Sequence, residues 1–420
     1  MTTICSDNHL FFGETAETWA SLRAQTQARL GQAEGYLAQR CVFVVDDMRA
    51  ALGVVAFGIS NGAMDFGVVE RNRLSPEVNA RFAENGVRLV DAVNGSPLGD
   101  TPVQAEVQAG RVTVLTSGTT GLLKLIPHTA DTLNTFVQVR DLPANNWFMP
   151  YQIGSYAWYQ MVALGLFVRE QGLIPADFDD LAGSFEAAMR AEHVTAISST
   201  PTFWRHALMS INETLLAATQ MRSISMGGEI VDQTILDRLA GLYPAAKIRH
   251  IYASSEVGAA IVVTDGKSGF DAQLLGREDG KIGMKIQDGR LFVRSPYANH
   301  ADAGGWIDTG DLVEEREGRV YFGGRAGNTM INVGGQKAFP PDIEAHLLTH
   351  PDVVWAQVTA RRAPMVGHLP QATIVLSQVK DADAAEAMLI AHCEGKLADY
   401  ATPRIWNFID SVPLRASLKS

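Results

Sequence analysis

Between Thr116 and Lys124 the chain reads Thr116-Ser117-Gly118-Thr119-Thr120-Gly121-Leu122-Leu123-Lys124. The two glycines let backbone N–H groups come close to a ligand and curl into an anion-binding nest. The hydroxyls add donors and Lys124 adds charge, so the stretch suits a polyphosphate. It is not a Walker A loop, because the G-x-x-x-x-G-K-[ST] spacing is absent. The plainer alternative is an ordinary Ser/Thr/Gly turn. His346 and His350 stand four apart and would share one face of a helix, where they could hold a metal. No HExxH acid accompanies them, which favours a solvated helix face. Gly266-Lys267-Ser268 lacks the upstream glycine of a phosphate loop and reads as a surface turn.

The elements that must position the loop follow from hydrophobic pattern. Residues 111–115 form a buried-strand candidate that runs straight into the Gly/Thr/Ser turn. Upstream, residues 16–33 read as a helix, and 41–45 and 52–57 as short apolar runs. Strand-then-helix units continue to Ile251, the pattern of an α/β layer architecture. Residues 281–286 and 290–294 flank Asp288-Gly289 as a β-hairpin. Around Gly323-Gly324-Arg325-Ala326-Gly327-Asn328 the regular pattern stops, which marks a hinge. Beyond it, residues 339–349 and 384–397 read as helices, and 353–361 and 372–379 as strands. The expected organisation is a large α/β domain over 1–325, with mixed sheets and flanking helices, and a small α+β lid over 326–420.

The bulk composition is that of a globular protein: 420 residues, 46% hydrophobic, 19% charged, formal charge −11. No clustered Lys/Arg face occurs, which argues against a nucleic-acid partner. Cys5, Cys41 and Cys393 are too scattered for a disulfide framework or zinc knuckle. The start lacks a signal-peptide pattern, and no apolar run is long enough to span a bilayer. A cytoplasmic location without membrane attachment is expected.

The motifs taken together resemble the acyl-adenylate-forming superfamily, which includes acyl-CoA synthetases, peptide-synthetase adenylation domains and beetle luciferases. Thr116–Lys124 resembles its phosphate loop. In order along the chain follow Thr195-Ala196-Ile197-Ser198-Ser199-Thr200-Pro201-Thr202-Phe203-Trp204, Gly227-Gly228-Glu229, Tyr252-Ala253-Ser254-Ser255-Glu256 and Trp306-Ile307-Asp308-Thr309-Gly310-Asp311. Gly324-Arg325 and Ile331-Asn332-Val333-Gly334-Gly335-Gln336-Lys337 resemble the hinge and first lid motif. Val412-Pro413-Leu414-Arg415-Ala416-Ser417-Leu418-Lys419 resembles the catalytic-lysine motif. The similarity runs from about residue 51 to 419.

That resemblance implies attack of a carboxylate on the α-phosphate of ATP, with pyrophosphate leaving. It assigns Thr116, Ser117, Gly118, Thr119, Thr120, Gly121 and Lys124 to the phosphates. Glu256 would hold Mg²⁺, a hard cation that prefers oxygen ligands. Gly228 and Glu229 would lie beside the adenine, Tyr252 would stack on it, and Ser255 belongs to the same motif. Asp311 would accept from the ribose hydroxyls, and Arg325 would reach the ribose or phosphates. Lys419 would bridge the attacking carboxylate and the α-phosphate. The plain readings are a loop acid for Glu256, a turn residue for Asp311, a core ring for Tyr252 and a frayed terminal lysine for Lys419. Trp147, Phe148, Tyr151, Tyr156, Trp158 and Tyr159 could shape the acyl pocket or simply pack in the core.

The chain departs from the family pattern in four places. The region before the phosphate loop is short, the hinge acid is replaced by Gly327-Asn328-Thr329, Leu418 stands for a glycine, and one residue follows Lys419. The segment from Trp147 to Tyr156 carries no acid to pair an α-amino group, which disfavours amino acids and leaves an apolar or aromatic carboxylic acid. Transfer to a thiol of coenzyme A or a carrier protein is the expected second step. Delivery to an amine and a nucleotide binder without turnover are the alternatives. Kinase-type chemistry is disfavoured because its signatures are missing.

Overall fold

In the computed structural model, residues 4–30, 39–99, 106–117, 123–136, 142–277, 282–298, 305–325, 330–363, 367–378 and 381–413 are described. Four sheets organise them. A five-stranded sheet has the order Arg88–Asp91, Arg40–Val45, Asp65–Glu70, Arg111–Ser117, Leu123–Thr129. All pairs are parallel except the last, a hairpin that frames the phosphate-loop sequence. Strand Arg40–Val45 is buried over nearly its whole length, as expected of a parallel strand covered on both faces.

An eight-stranded mixed sheet lies across the same core. Its central parallel strands are Lys247–Ser254, Ser223–Gly227, Ala196–Ser199, Asn145–Met149 and Gln171–Pro175. Gly258–Val263 pairs antiparallel at one end of this set. Helix Tyr156–Phe167 packs between the two sheets, with Trp158, Tyr159 and Leu166 almost completely buried. Ser155 caps it by accepting from the Trp158 N–H. The preceding Gly154 has φ of 79°, and a Cβ there would lie 2.7 Å from the Val68 carbonyl oxygen. Its own carbonyl accepts from Leu115 N–H at 3.1 Å, tying the start of this helix to the strand that enters the phosphate loop. Glycine is required there for both conformation and space.

A smaller five-stranded antiparallel sheet contains Phe270–Asp271, Arg319–Arg325, Ile307–Arg316, Arg290–Arg294 and Gly283–Gln287. The last two form the expected Asp288-Gly289 hairpin; residue 281 lies outside the described residues. The C-terminal sheet comprises Gln336–Ala338, Ile331–Val333, Gly367–Leu376, Val353–Ala363 and Ile405–Phe408. Helices Pro340–Leu347 and Ala382–Cys393 pack on it through Ile343, Leu347, Leu389 and Cys393. The large α/β part and the small α+β part are thus both present.

Several elements differ from the sequence reading. Residues 52–57 lie inside helix Met48–Asn61, which Asp47 caps and Gly62 terminates at φ 62°. The apolar run is continuous because that helix is buried nearly all round, so no 3.6-residue period survives. The helix expected over 16–33 begins only at Trp19, because Thr15–Thr18 pairs as a strand with His9–Phe12. His350 lies beyond helix Pro340–Leu347, and His346 stacks on His392 at 4.5 Å instead of standing on a solvated face.

Glu344, on the first C-terminal helix, accepts from the Val358 N–H at 2.7 Å. Burial pushes its carboxyl up to about 7 from an ordinary 4.5. Between those values the folded chain keeps a proton that the unfolded chain has lost, so stability falls as pH rises. The loss approaches about 3 kcal/mol once pH exceeds the folded value. Glu344→Gln is expected to remove this pH dependence. Urea midpoints of the two proteins at pH 5 and pH 8 check it: the wild type should lose more stability across that interval than the variant.

Candidate active site

The hairpin that frames the phosphate loop sets Thr116 opposite Lys124 and Ser117 opposite Leu123. Gly118, Thr119, Thr120 and Gly121 lie outside the described residues. The strands therefore fix where the loop leaves and returns. Lys124 is exposed at its return, and its charge reaches Glu256.

Glu256 follows strand Lys247–Ser254 at its C-terminal end. The Ser254 hydroxyl oxygen accepts from the N–H groups of Glu256 and Val257, each at 3.3 Å, which closes a tight turn. The Ser255 hydroxyl donates to the Glu256 carboxylate at 3.0 Å. Burial alone would raise the Glu256 pKa, but these hydrogen bonds and Lys124 outweigh it and hold the carboxyl below its usual range. A part-buried, ionised carboxylate beside hydroxyls is a hard oxygen donor set and fits Mg²⁺.

His128 fixes this turn from the neighbouring sheet. Its Nε2 lies 2.9 Å from the Ser255 carbonyl oxygen, which can only accept, so Nε2 carries the proton. Nδ1 lies 3.1 Å from the Thr132 hydroxyl. Burial lowers the His128 pKa to about 4, so the ring is neutral at physiological pH. The sequence reading missed this residue, because a lone histidine in a strand carries no spacing signal.

The second cluster gathers three strands. Asp311 and Arg325 are cross-strand partners, and the Arg325 Nε donates to Asp311 Oδ1 at 2.9 Å. The Tyr252 hydroxyl donates to the other oxygen, Oδ2. The Thr309 hydroxyl oxygen accepts from the Asp311 N–H at 3.2 Å and donates its own proton to Leu291 O at 2.8 Å. Burial, then the neighbouring Asp311 charge, raises the Tyr252 pKa, so its hydroxyl stays protonated as a donor. Burial opposes the charge of Arg325, but Asp311 outweighs it and raises the pKa. Phe322 stacks on one face of the Tyr252 ring with centroids 4.7 Å apart. Arg325 also feels the charge of Glu256, so the two clusters adjoin.

Gly228 has φ of 81° and leads into Glu229. The Glu229 carboxylate accepts from the Thr202 N–H at 3.0 Å and hydroxyl at 2.7 Å, at the N-terminus of helix Pro201–Ser210. A carboxylate there satisfies otherwise orphaned donors and complements the helix dipole. This bond locks the Gly227-Gly228-Glu229 turn to the Pro201-Thr202 pair.

The six aromatics divide. Phe148 packs on Phe185 and Phe203, Trp147 donates to Gln171 at 2.8 Å, and Trp158 and Tyr159 are core. Tyr156 instead contacts His128, with ring centroids 5.4 Å apart. The Tyr151 hydroxyl lies 3.0 Å from the Ser198 hydroxyl and donates to Ser199 O at 3.1 Å. Lys419 lies outside the described residues. The root of its segment is anchored, because Val412 is buried against Trp355 and Val375 of the C-terminal sheet.

The family sequence model described as AMP-binding enzyme matches residues 35–304, more than half of the chain. The chain belongs to the AMP-binding enzyme family. The model of the AMP-binding enzyme C-terminal domain matches residues 342–419. This is the acyl-adenylate-forming superfamily that the motif order suggested. A 2-succinylbenzoate–CoA ligase of Bacillus mycoides (strain KBAB4) is 34% identical over 180 residues, 40% of this chain. That match spans only 35% of the relative's length. A 2-succinylbenzoate–CoA ligase of Bacillus cereus (strain ATCC 14579) is 26% identical over 364 residues, covering 79% of this chain and 73% of that one. Among solved structures, an anthranilate CoA ligase in complex with anthranoyl-AMP superposes with a TM-score of 0.74 at 18% identity, covering 99% of this chain and 93% of that one. That similarity concerns the fold. No helix among the described residues is long and apolar enough to cross a membrane.

Proposed function

We propose that this chain is an ATP-dependent acid–thiol ligase that converts a carboxylic acid to its acyl-adenylate, releases pyrophosphate, and passes the acyl group to coenzyme A. The observation that carries the proposal is the joining of Tyr252, Asp311 and Arg325 to an ionised Glu256 and to Lys124 at the phosphate hairpin. Asp311 spends one acceptor site per oxygen on Tyr252 and Arg325. A carboxylate has further lone-pair sites, and these would accept the two ribose hydroxyls. The Tyr252 face away from Phe322 would take the adenine. The phosphate loop with Lys124 would hold the β- and γ-phosphates, with N–H groups and hydroxyls aimed at the charge that pyrophosphate carries away. Glu256 would hold Mg²⁺, whose contribution is neutralisation of phosphate charge. Lys419, brought in by the C-terminal part, would pair the attacking carboxylate with the α-phosphate.

The proposed boundary at 325/326 fits this division of labour. Arg325 ends the strand that pairs Asp311, and Gly327 in the hinge sequence permits rotation. The relatives' name favours an aromatic acid as substrate and coenzyme A as acceptor. A cytoplasmic location follows from the need for ATP, and a carrier protein is the other thiol that would serve. The replaced hinge acid gives one specific reason for a second reading, delivery to an amine. Chromatography of reactions with ATP, acid and either coenzyme A or an amine separates the two. Thioester formation outpacing amide formation supports the ligase; amide alone, with coenzyme A ignored, overturns it in favour of the second reading.

A further inference from the structure

The phosphate hairpin and the Glu256 turn belong to different sheets, and a buried histidine joins them. His128 stands near the end of Leu123–Thr129, the strand that returns from the phosphate loop. Residues of a strand alternate between faces, so Lys124, Ile126 and His128 share one. Both ends of that face act on the same turn. The charge of Lys124 reaches the Glu256 carboxylate, and the His128 Nε2 donates to the Ser255 carbonyl oxygen at 2.9 Å.

The Ser255 carbonyl and the Glu256 N–H are two ends of one peptide unit, which is planar. His128 holds the carbonyl end. The Ser254 hydroxyl oxygen holds the other, accepting from the Glu256 N–H at 3.3 Å. A plane pinned at both ends cannot turn about its flanking bonds, so the direction in which the Glu256 side chain leaves the backbone is fixed. His128 is 2% exposed and Ser255 6% exposed, too buried for bulk water to take over the bond. Without the imidazole N–H the carbonyl would lie unpaired in the interior, and the peptide would have to rotate to find another donor.

The imidazole is itself held in place. With the proton on Nε2, Nδ1 accepts from the Thr132 hydroxyl at 3.1 Å. Thr129 and Thr132 form a capping box on the short helix Ala130–Leu133. Gln160 of helix Tyr156–Phe167 donates to the Leu133 carbonyl at 2.8 Å, and Tyr156 of the same helix packs against the ring. Groups that orient a metal-binding carboxylate set its affinity, and their loss typically costs about ten- to a hundredfold.

We infer that His128 is a positioning residue for the metal-bound phosphates of ATP. By clamping the Ser255–Glu256 peptide it fixes the Glu256 carboxylate for the metal. Its loss therefore removes metal-dependent nucleotide affinity and leaves the Tyr252, Asp311 and Arg325 cluster in place. The inference rests on the adenylating function proposed above.

The test is calorimetric titration without any acid substrate, so that bound ATP stays unreacted. ATP is titrated with Mg²⁺ and with EDTA, and AMP, which lacks the β- and γ-phosphates, is titrated alongside. The readout is the factor by which Mg²⁺ tightens ATP binding. His128→Leu removes the N–H, and His128→Asn is too short to place one at the carbonyl; both should cut that factor by about tenfold or more while AMP affinity stays as in wild type. His128→Gln can set its amide N–H where Nε2 stood and should restore most of the factor. Melting curves confirm folding, and Thr132→Val, which releases only Nδ1, carries the test if the His128 variants do not fold: it should lower the same factor severalfold. An unchanged factor in the folded variants, a parallel fall in AMP affinity, or a glutamine variant as impaired as the leucine one overturns this inference and leaves adenylation standing. Wild type that binds ATP equally with and without Mg²⁺ removes the metal role of Glu256 and this inference with it. Wild type that binds neither ATP nor AMP overturns the proposed function itself.

Discussion

Lys419→Ala is expected to slow acid-dependent pyrophosphate release by roughly a hundred- to thousandfold. The reaction brings an anionic carboxylate against an anionic α-phosphate, and the repulsion is greatest in the transition state. A positioned ammonium that bridges the two acts there and much less in the ground state, so its loss should fall on kcat. Preorganised charges of this kind are each worth about 3–4 kcal/mol. Burial of Val412 against Trp355 and Val375 anchors the segment that carries the lysine, so the substitution should leave the C-terminal part folded. Steady-state kinetics with saturating ATP checks this, with thermal melting as the folding control. A kcat within about threefold of wild type would remove Lys419 from the mechanism.

The second large effect is expected at Asp311. It anchors Arg325 and Tyr252 in the structure and is assigned both ribose hydroxyls. Hydrogen bonds to a charged acceptor are each worth about 1.5–3 kcal/mol. Asp311→Ala should therefore lose about 3–5 kcal/mol, a decline of kcat/KM for ATP of roughly a hundred- to several-thousandfold. Asp311→Asn keeps an acceptor for Tyr252 and should fall between. The KM of the acid should move little, because the role proposed for Asp311 is toward the nucleotide. An ATP titration showing wild-type kcat/KM for Asp311→Ala would separate this cluster from nucleotide binding.

Legibility in the sequence followed locality. The strand Arg111–Ser117 and the hairpin around Asp288-Gly289 are short-range patterns, and both were readable from neighbouring residues. The grouping of Tyr252, Asp311 and Arg325 was not readable from spacing, since 59 and 14 positions separate the partners of Asp311. Only motif order suggested it. His128 was missed because it acts across 127 positions on a backbone carbonyl, and a carbonyl leaves no trace in the residue types. Residues 52–57 show the converse failure, where helix Met48–Asn61, buried nearly all round, left no period to detect.

Adenylation is a reversible step that needs no thiol or amine acceptor. The most direct measurement is therefore acid-dependent exchange of labelled pyrophosphate into ATP with Mg²⁺ present and no acceptor, with ADP monitored in the same samples. Exchange is expected to depend on a carboxylic acid, to be strongly reduced in Lys419→Ala and Asp311→Ala, and to produce no ADP. ADP formation, or absence of exchange with a broad acid panel while ATP still binds, would contradict adenylation.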